Sequence, residues 1–166
     1  HSNVVLVASK RRVVNDNGKT VINSHGLFFL TGKLDGKKAV KRCIATGTNQ
    51  FGEPASVLFE RSVLFSCLPW DSTQPYLLDL DMYSRVLLHG KFVGLKTIDA
   101  TFRLTNNSWS QTIGDKQSKQ FNEWLLNYYL TNGSEISKFW IVTGLVASKL
   151  NKRLRGVVIT FSTRMK

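Results

Sequence analysis

KTIDATFRLT, residues 96–105, alternates apolar and polar side chains, and FNEWLLNY, residues 121–128, repeats its apolar side chains with a helical period. Every second residue from Ile98 to Leu104 is apolar, as in a strand with one solvated face. From Phe121 to Tyr128 the apolar residues recur at i, i+3, i+4 and i+7, which predicts an amphipathic helix. Asp115 is available as its N-cap, and Gly133 lies just past its end.

Two hairpins are predicted in the first third of the chain. Residues 4–8 and 19–23 flank the turn-forming Asn15-Asp16-Asn17-Gly18, so residues 1–24 are read as a hairpin or a semi-ordered arm. Residues 27–34 and 38–45 flank Asp35-Gly36, a dipeptide suited to a tight turn. Residues 55–68 form a further β-rich segment.

Residues 138–150 are ambiguous between helix and strand. Their β-branched and aromatic content and Gly144 favour a strand, which we expect to pair with residues 156–163 across the basic loop 151–155. No repeat or linker interrupts the sequence. It therefore predicts a single α+β domain over residues 1–166, with an antiparallel sheet packed against one or two helices.

Charge is unevenly distributed along the 166 residues, which carry 23 Lys and Arg against 11 Asp and Glu. Residues 1–50, 51–100 and 101–166 have net charges of +7, −2 and +7. Hydrophobic residues make up 42% of the chain and charged residues 20%, so a folded core is expected despite the high charge. The two positive blocks indicate a polyanionic partner, either nucleic acid or an anionic membrane surface.

Three clusters of cations are candidates for anion binding. The first lies near the N-terminus, the second at the Asp35-Gly36 turn and the third at the predicted terminal turn. They comprise Lys10, Arg11 and Arg12; Lys33, Lys37, Lys38, Lys41 and Arg42; and Lys149, Lys152, Arg153 and Arg155. Each could instead be a solvated, solubilising surface. On a strand Lys41 and Arg42 would point to opposite faces, so both could not join one patch.

Exposed aromatic residues could stack on bases or enter a membrane interface. Trp70 and Trp109 occur in loop-like contexts and are the preferred candidates. Phe28 and Phe29 are weaker candidates, because at least one of two neighbouring strand residues must face inward.

No catalytic, cofactor-binding or metal-ligating pattern is present. The sequence lacks a phosphate loop, an H-E-x-x-H motif and a C-x-x-C motif. Asp79 and Asp81 could share a strand face as paired carboxylates, although a solvated edge is the simpler interpretation. Cys43 and Cys67 are too few for a disulfide framework and favour a reducing compartment. No apolar run reaches the about twenty residues that cross a bilayer, and no signal peptide is apparent.

The second half of the chain resembles a known family. Its order of segments is similar to that of the C-terminal half of rhabdovirus matrix proteins. The segments are Phe92-Val93-Gly94-Leu95, an alternating strand to Thr105, a helix with Trp and Phe, and residues 139–149 with Gly144-Leu145-Val146. The resemblance covers about 75 residues. It implies a basic viral protein that self-associates, binds the nucleocapsid and holds it to the inner face of a membrane.

Three functions follow as hypotheses. The first is a non-enzymatic viral structural protein of the matrix kind, which bridges RNA or ribonucleoprotein to an anionic membrane. We expect such a protein in the virion or host cytoplasm, peripheral to membranes and neither secreted nor transmembrane. The second is an RNA-binding, β-rich capsid or movement protein. The third is an accessory enzyme that acts on an acidic substrate, with Asp79 and Asp81 as its acids.

Overall fold

The computed structural model describes residues 3–105, 114–133 and 136–164, with side chains placed for residues 3–105, 116–133 and 136–151. The described strands are β1 (Val4–Val14), β2 (Thr20–His25), β3 (Gly32–Asp35), β4 (Val57–Phe59) and β5 (Lys91–Arg103). The described helices are α1 (Gly36–Thr46), α2 (Arg61–Ser66), α3 (Leu78–Leu87), α4 (Gly114–Asn132) and α5 (Lys138–Arg164). A 3-10 turn covers Pro54–Ser56. The predicted single-domain α+β class is confirmed.

The sheet has the order β2-β1-β5-β3, and β4 pairs with the first half of β1. The pairs β1–β2, β1–β4 and β3–β5 are antiparallel, as expected, whereas the central β1–β5 pair is parallel. A parallel pair requires a long crossover. Here the crossover from β1 to β5 includes α1, α2 and α3. With α4 and α5, the described residues contain five helices, where one or two were expected.

The N-terminal segment forms a hairpin and supplies the central strand. Asn15 and Lys19 close the turn through an N–O hydrogen bond of 2.9 Å, and Gly18 adopts a positive φ of 77°. β1 pairs with β5 along most of its length. Residues 10–12 therefore lie within a paired strand and not in a loose arm.

The predicted hairpin at Asp35-Gly36 is wrong. Asp35 ends β3 and caps α1, because its carboxylate accepts a hydrogen bond from the Lys38 amide at 3.1 Å. The amide of Gly36 donates to the Gly90 carbonyl at 3.0 Å. The short apolar residues that resembled a strand occupy the buried face of a helix: Ala39, Val40, Cys43 and Ile44. An aspartate before a glycine thus served as a helix cap where a turn was expected.

Residues 55–68 do not form one long strand. After the 3-10 turn, β4 has only 3 residues, and α2 follows it. Glu60 caps α2 by accepting hydrogen bonds from the amides of Ser62 and Val63 at 3.2 and 2.8 Å. The capping carboxylate therefore outweighs the β propensity of the residues around it.

The two segments with the clearest periodicity were assigned the correct element type, although α4 begins at Gly114, so Asp115 lies inside the helix and the prediction of Asp115 as its N-cap is wrong. Phe121, Trp124, Leu125 and Tyr128 are all buried on α4, and Gly133 follows directly after this helix. Residues 96–103 belong to β5. Beyond Gly94 the residues of this strand are exposed or half-buried, so its predicted apolar face is only partly covered.

The predicted terminal hairpin is wrong, since residues 138–164 form the single helix α5. Its inner side includes Ile141, Gly144 and Ser148, which are buried. A Cβ at Gly144 would lie 2.9 Å from Leu125 Cδ2 and 3.1 Å from Ile44 Cγ2. Contact with α1 and α4 therefore holds a segment of high β propensity in a helix, since tertiary packing overrides local preference.

Candidate anion-binding surface

Cations gather on the outer side of α1. Lys37, Lys38, Lys41 and Arg42 line one concavity of about 390 Å³ together with Asp35 and Trp140. The spacing i, i+1, i+4 and i+5 places these cations on one side of a helix, opposite the buried Ala39 and Val40. Lys41 and Arg42 therefore join the same surface, contrary to the expectation for a strand. Lys33 is exposed on β3, two residues before the cap of this helix.

Three cations of this α1 surface are not paired with any described acid. Within the described residues, Lys38, Lys41 and Arg42 form no ion pair with a carboxylate. Among the residues that the structure describes, Asp35 is the one acid lining the concavity, and its carboxylate accepts a hydrogen bond from the Lys38 amide. Four of the five cations in the second predicted cluster thus line one concavity, and Lys33 is not among its lining residues.

A larger groove lies beside this surface and shares Arg42 and Trp140 with it. It has a volume of about 790 Å³ and lies between α1, the loop 26–31 and the first half of α5. We call it the aromatic groove. Its lining is Phe28, Phe29, Thr31, Arg42, Ala45, Thr46, Gln50, Trp140 and Asn151.

Phe28 and Phe29 both point outward, which corrects the expectation that one must face the core. Their exposed fractions are 60% and 69%, while the flanking Leu27 and Leu30 are buried. Leu27 and Phe29 have positive φ angles of 55° and 59°. This backbone forms a tight turn in place of a strand, so it directs the two adjacent phenyl rings to the same side of the chain.

Hydrogen bonds with two residues, Arg42 and Gln50, hold the turn in place. Arg42 Nη1 donates to the Phe29 carbonyl at 2.9 Å, which joins the loop to α1. The amides of Leu27 and Phe28 donate to the carbonyl and side-chain oxygens of Gln50, at 2.8 and 3.3 Å. The phenyl pair is therefore fixed at the edge of the cationic surface.

The first predicted cluster does not act as a unit. Arg11 is only 5% exposed, and its Nε lies 2.7 Å from an Oε of Glu53. Burial lowers the pKa of Arg11, and Glu53 and Tyr83 partly offset this effect. Arg12 is exposed and Lys10 half-buried on the opposite face of β1. Arg11 is therefore not part of an exposed cationic surface.

The third cluster lies on α5 and not at the tip of a turn. Lys149 is exposed on this helix. The backbone of Lys152, Arg153 and Arg155 continues the helix, and their side chains fall outside the described part of the chain. These cations are spread along a helix axis, so the predicted compact tip is wrong.

Of the two preferred tryptophans, only Trp70 lies in the described part of the chain, and it does not line the groove. Trp70 is half-buried and packs against the core, and Trp109 lies outside the described residues. Trp140 was placed in a strand by the sequence analysis and was not identified. The sequence signal that could have revealed the neighbouring helix α1 is the spacing of its basic residues at i, i+1, i+4 and i+5.

The predicted carboxylate pair does not form. Asp79 and Asp81 lie on α3, where residues two apart do not face each other. Asp81 accepts a hydrogen bond from Arg85 Nε at 2.9 Å. Burial, with Glu53 as a second cause, raises the pKa of Asp79 to about 6.

The cysteines are buried in the core as free thiols. Burial raises the pKa of the Cys43 thiol to about 12. Among the described residues, no group of three or more His, Cys, Asp or Glu side chains is placed to hold a metal ion.

An apolar stripe lies on the outer side of α5. Phe139, Val142, Val146 and Leu150 recur at helical spacing, and each is more than half exposed. The helix contains no acidic residue. In the part of the chain that the structure describes, no helix is long and apolar enough to cross a bilayer.

No protein-family model matches the sequence, and no curated protein sequence matches it.

Proposed function

We propose that this chain is a non-enzymatic viral structural protein of the matrix kind, which self-associates and links RNA or ribonucleoprotein to an anionic membrane surface. The observation that carries the proposal is the α1 surface, where Lys37, Lys38, Lys41 and Arg42 line one concavity. Of the described residues that line it, one is an acid, Asp35, and it caps the helix. Such an excess of positive charge favours attachment to a polyanion.

Each cation of this surface would contribute to attachment. Each cation near an anionic membrane contributes about 1 kcal/mol. On RNA the same side chains would neutralise phosphates, so the binding constant would fall steeply with salt concentration. Several cations acting together can therefore hold the protein on either kind of surface at low ionic strength.

The apolar stripe on α5 supports the self-association part of the proposal. Four exposed apolar side chains at helical spacing form a continuous face, and such faces mark sites of contact with other molecules. The stripe lies on the outer side of the helix, away from the buried Ile141 and Gly144.

Charge reversal on α1 tests the proposal. We expect Lys38→Glu/Lys41→Glu to weaken cosedimentation with phosphatidylserine vesicles and binding to RNA, with an unchanged melting temperature. The matched control is Lys116→Glu/Lys119→Glu, which makes the same charge change at exposed positions of α4. Equal losses in the two variants would show that only net charge matters, and no loss in the first would overturn the proposal.

The aromatic groove favours a second candidate, an RNA-binding capsid or movement protein. In this case the α1 cations would hold phosphates and the phenyl rings would contact bases. RNA binding with a steep salt dependence and no binding to phosphatidylserine vesicles would favour this candidate over the matrix kind.

A further inference from the structure

We infer that the aromatic groove binds unpaired bases of single-stranded RNA, with Phe28 and Phe29 as stacking partners and the α1 cations as phosphate contacts. The inference rests on the proposed function for the phosphate contacts, because both use the α1 surface. It adds a binding site for bases and a preference for RNA whose bases are accessible.

The exposure of the phenyl pair is the first support. Both rings are more than half exposed, their centroids lie 4.0 Å apart, and both side chains line the groove. Burying either ring would contribute roughly 2 kcal/mol to folding. The fold forgoes this stabilisation at two adjacent positions, so the rings are available to an external partner.

The backbone of the loop is the second support. Leu27 and Phe29 both adopt positive φ angles, and a residue other than glycine in this region costs about 1–3 kcal/mol. Such strain persists only where surrounding contacts impose it, and it concentrates at ligand sites. Here the contacts with Arg42 and Gln50 impose it, and its result is the outward direction of the rings.

The arrangement of charge around the groove is the third support. Arg42 and Trp140 line both the groove and the cationic concavity, so the two sites are continuous. A single strand can therefore place a base against the phenyl rings while its phosphates lie along Lys38 and Lys41. Aromatic rings beside a cationic track are the general means of binding single strands.

The shape and polar lining of the groove indicate RNA over a membrane surface. The phenyl pair borders a concave volume of about 790 Å³ that also contains Thr31, Thr46, Gln50 and Asn151. A segment that enters a bilayer interface inserts a protruding apolar face into the boundary between headgroups and acyl chains, whereas these two rings border a concavity with polar lining residues. Asn151 Nδ2 donates to the Thr46 carbonyl, and Gln50 contacts the loop. Because these groups are already engaged, we expect weak base preference and binding that depends on stacking.

Replacing the phenyl rings by leucine separates stacking from simple apolar contact. We would measure fluorescence anisotropy with labelled oligouridine, and with the duplex that it forms with oligoadenosine. Phe28→Leu/Phe29→Leu should weaken oligouridine binding about tenfold, since stacking on one base is worth about 1–3 kcal/mol. The slope of binding against salt should stay unchanged, because no phosphate contact is removed.

Two controls make the result specific. Phe65→Leu removes a similarly exposed ring on α2, outside the groove, and the guanidinium of Arg61 lies 5.4 Å from the centroid of this ring. The Phe65→Leu variant should bind oligouridine as the wild type does. Binding of phosphatidylserine vesicles by Phe28→Leu/Phe29→Leu should also be retained, because leucine is as apolar as phenylalanine.

The outcomes distinguish this inference from the proposed function. If Phe28→Leu/Phe29→Leu binds oligouridine as tightly as the wild type while Lys38→Glu/Lys41→Glu does not, the groove has no role in base binding and the proposed function stands. Tighter binding of the duplex than of oligouridine would also overturn the inference. If Lys38→Glu/Lys41→Glu loses nothing, the proposed function itself is overturned.

Discussion

Arg11 and Glu53 form an ion pair of 2.7 Å that joins the central strand β1 to the loop before the 3-10 turn. The Arg11 side chain is 6% exposed and that of Glu53 is 37% exposed. A Cβ at Gly26 would lie 2.5 Å from Arg11 Nη1. The loop 26–31, which carries Phe28 and Phe29, therefore begins directly against this cation. The buried guanidinium of Arg11 therefore lies close to β1, Gly26 and the segment that carries Glu53, with Glu53 as its counterion.

Removing the charge of Glu53 should destabilise the protein. Glu53→Gln leaves a buried guanidinium without its counterion, and breaking such a pair costs about 3 kcal/mol. Thermal or urea unfolding would measure the loss. The control is Glu123→Gln, which breaks the exposed Lys119–Glu123 pair of 3.8 Å and should cost less than about 0.5 kcal/mol. Equal effects of the two substitutions would contradict a structural role for the buried pair.

Asp79 gives the protein a defined pH dependence. Its folded-state pKa is raised to about 6 by burial, so the native state retains a proton that the unfolded chain releases above about pH 4. The contribution of this group to stability therefore falls as pH rises from about 4 to 6 and stays low above that range.

Asp79→Asn should remove this loss. At pH 7 we expect the melting temperature to rise by about 2–4 °C, the shift that about 1 kcal/mol produces in a chain of this size. Solvent reaches the carboxyl group and weakens the effect of burial, which keeps the expected shift this small. Below pH 4 the variant and the wild type should have the same stability. An equal rise at every pH would mean that titration of Asp79 is not the cause.

The N-cap of α1 can be tested by Asp35→Ala. The carboxylate accepts a hydrogen bond from the Lys38 amide at 3.1 Å, and losing such a cap costs about 1 kcal/mol. Asp16→Ala removes an exposed carboxylate from the β1–β2 turn and should be nearly neutral. Polyanion binding by Asp35→Ala should not weaken, because the substitution removes a negative charge from the lining of the cationic concavity.

The stripe on α5 predicts concentration-dependent association. Val142→Ser/Val146→Ser should shift sedimentation equilibrium toward the monomer in the absence of lipid and RNA, since it removes apolar area at the centre of the stripe. Leu58→Ser removes an exposed aliphatic side chain on β4 and serves as the control. Unchanged association in the first variant, or an equal loss in both, would assign self-association to another surface.

Local periodicity was sufficient for β5 and α4. The alternation from Ile98 to Leu104 and the helical spacing from Phe121 to Tyr128 each span more than one repeat, so the pattern itself specifies the element. The turn at Asn15 to Gly18 was also readable, because its residues tolerate the required dihedral angles. Composition and charge pointed to a folded, basic protein with a polyanionic partner as a hypothesis.

Residues 36–46 and 138–164 could not be assigned in this way, because short runs rich in β-branched residues fit either period. They became helices since α1, α4 and α5 bury Ile44, Leu125 and Gly144 against one another. The environment of each cation also depended on the residues packed around it. Arg11 is buried and paired with Glu53, whereas Lys38 is exposed and Lys41 half-buried beside the groove. Such pairings join residues far apart in the chain, so their charges and contacts were set by packing and not by any local sequence pattern.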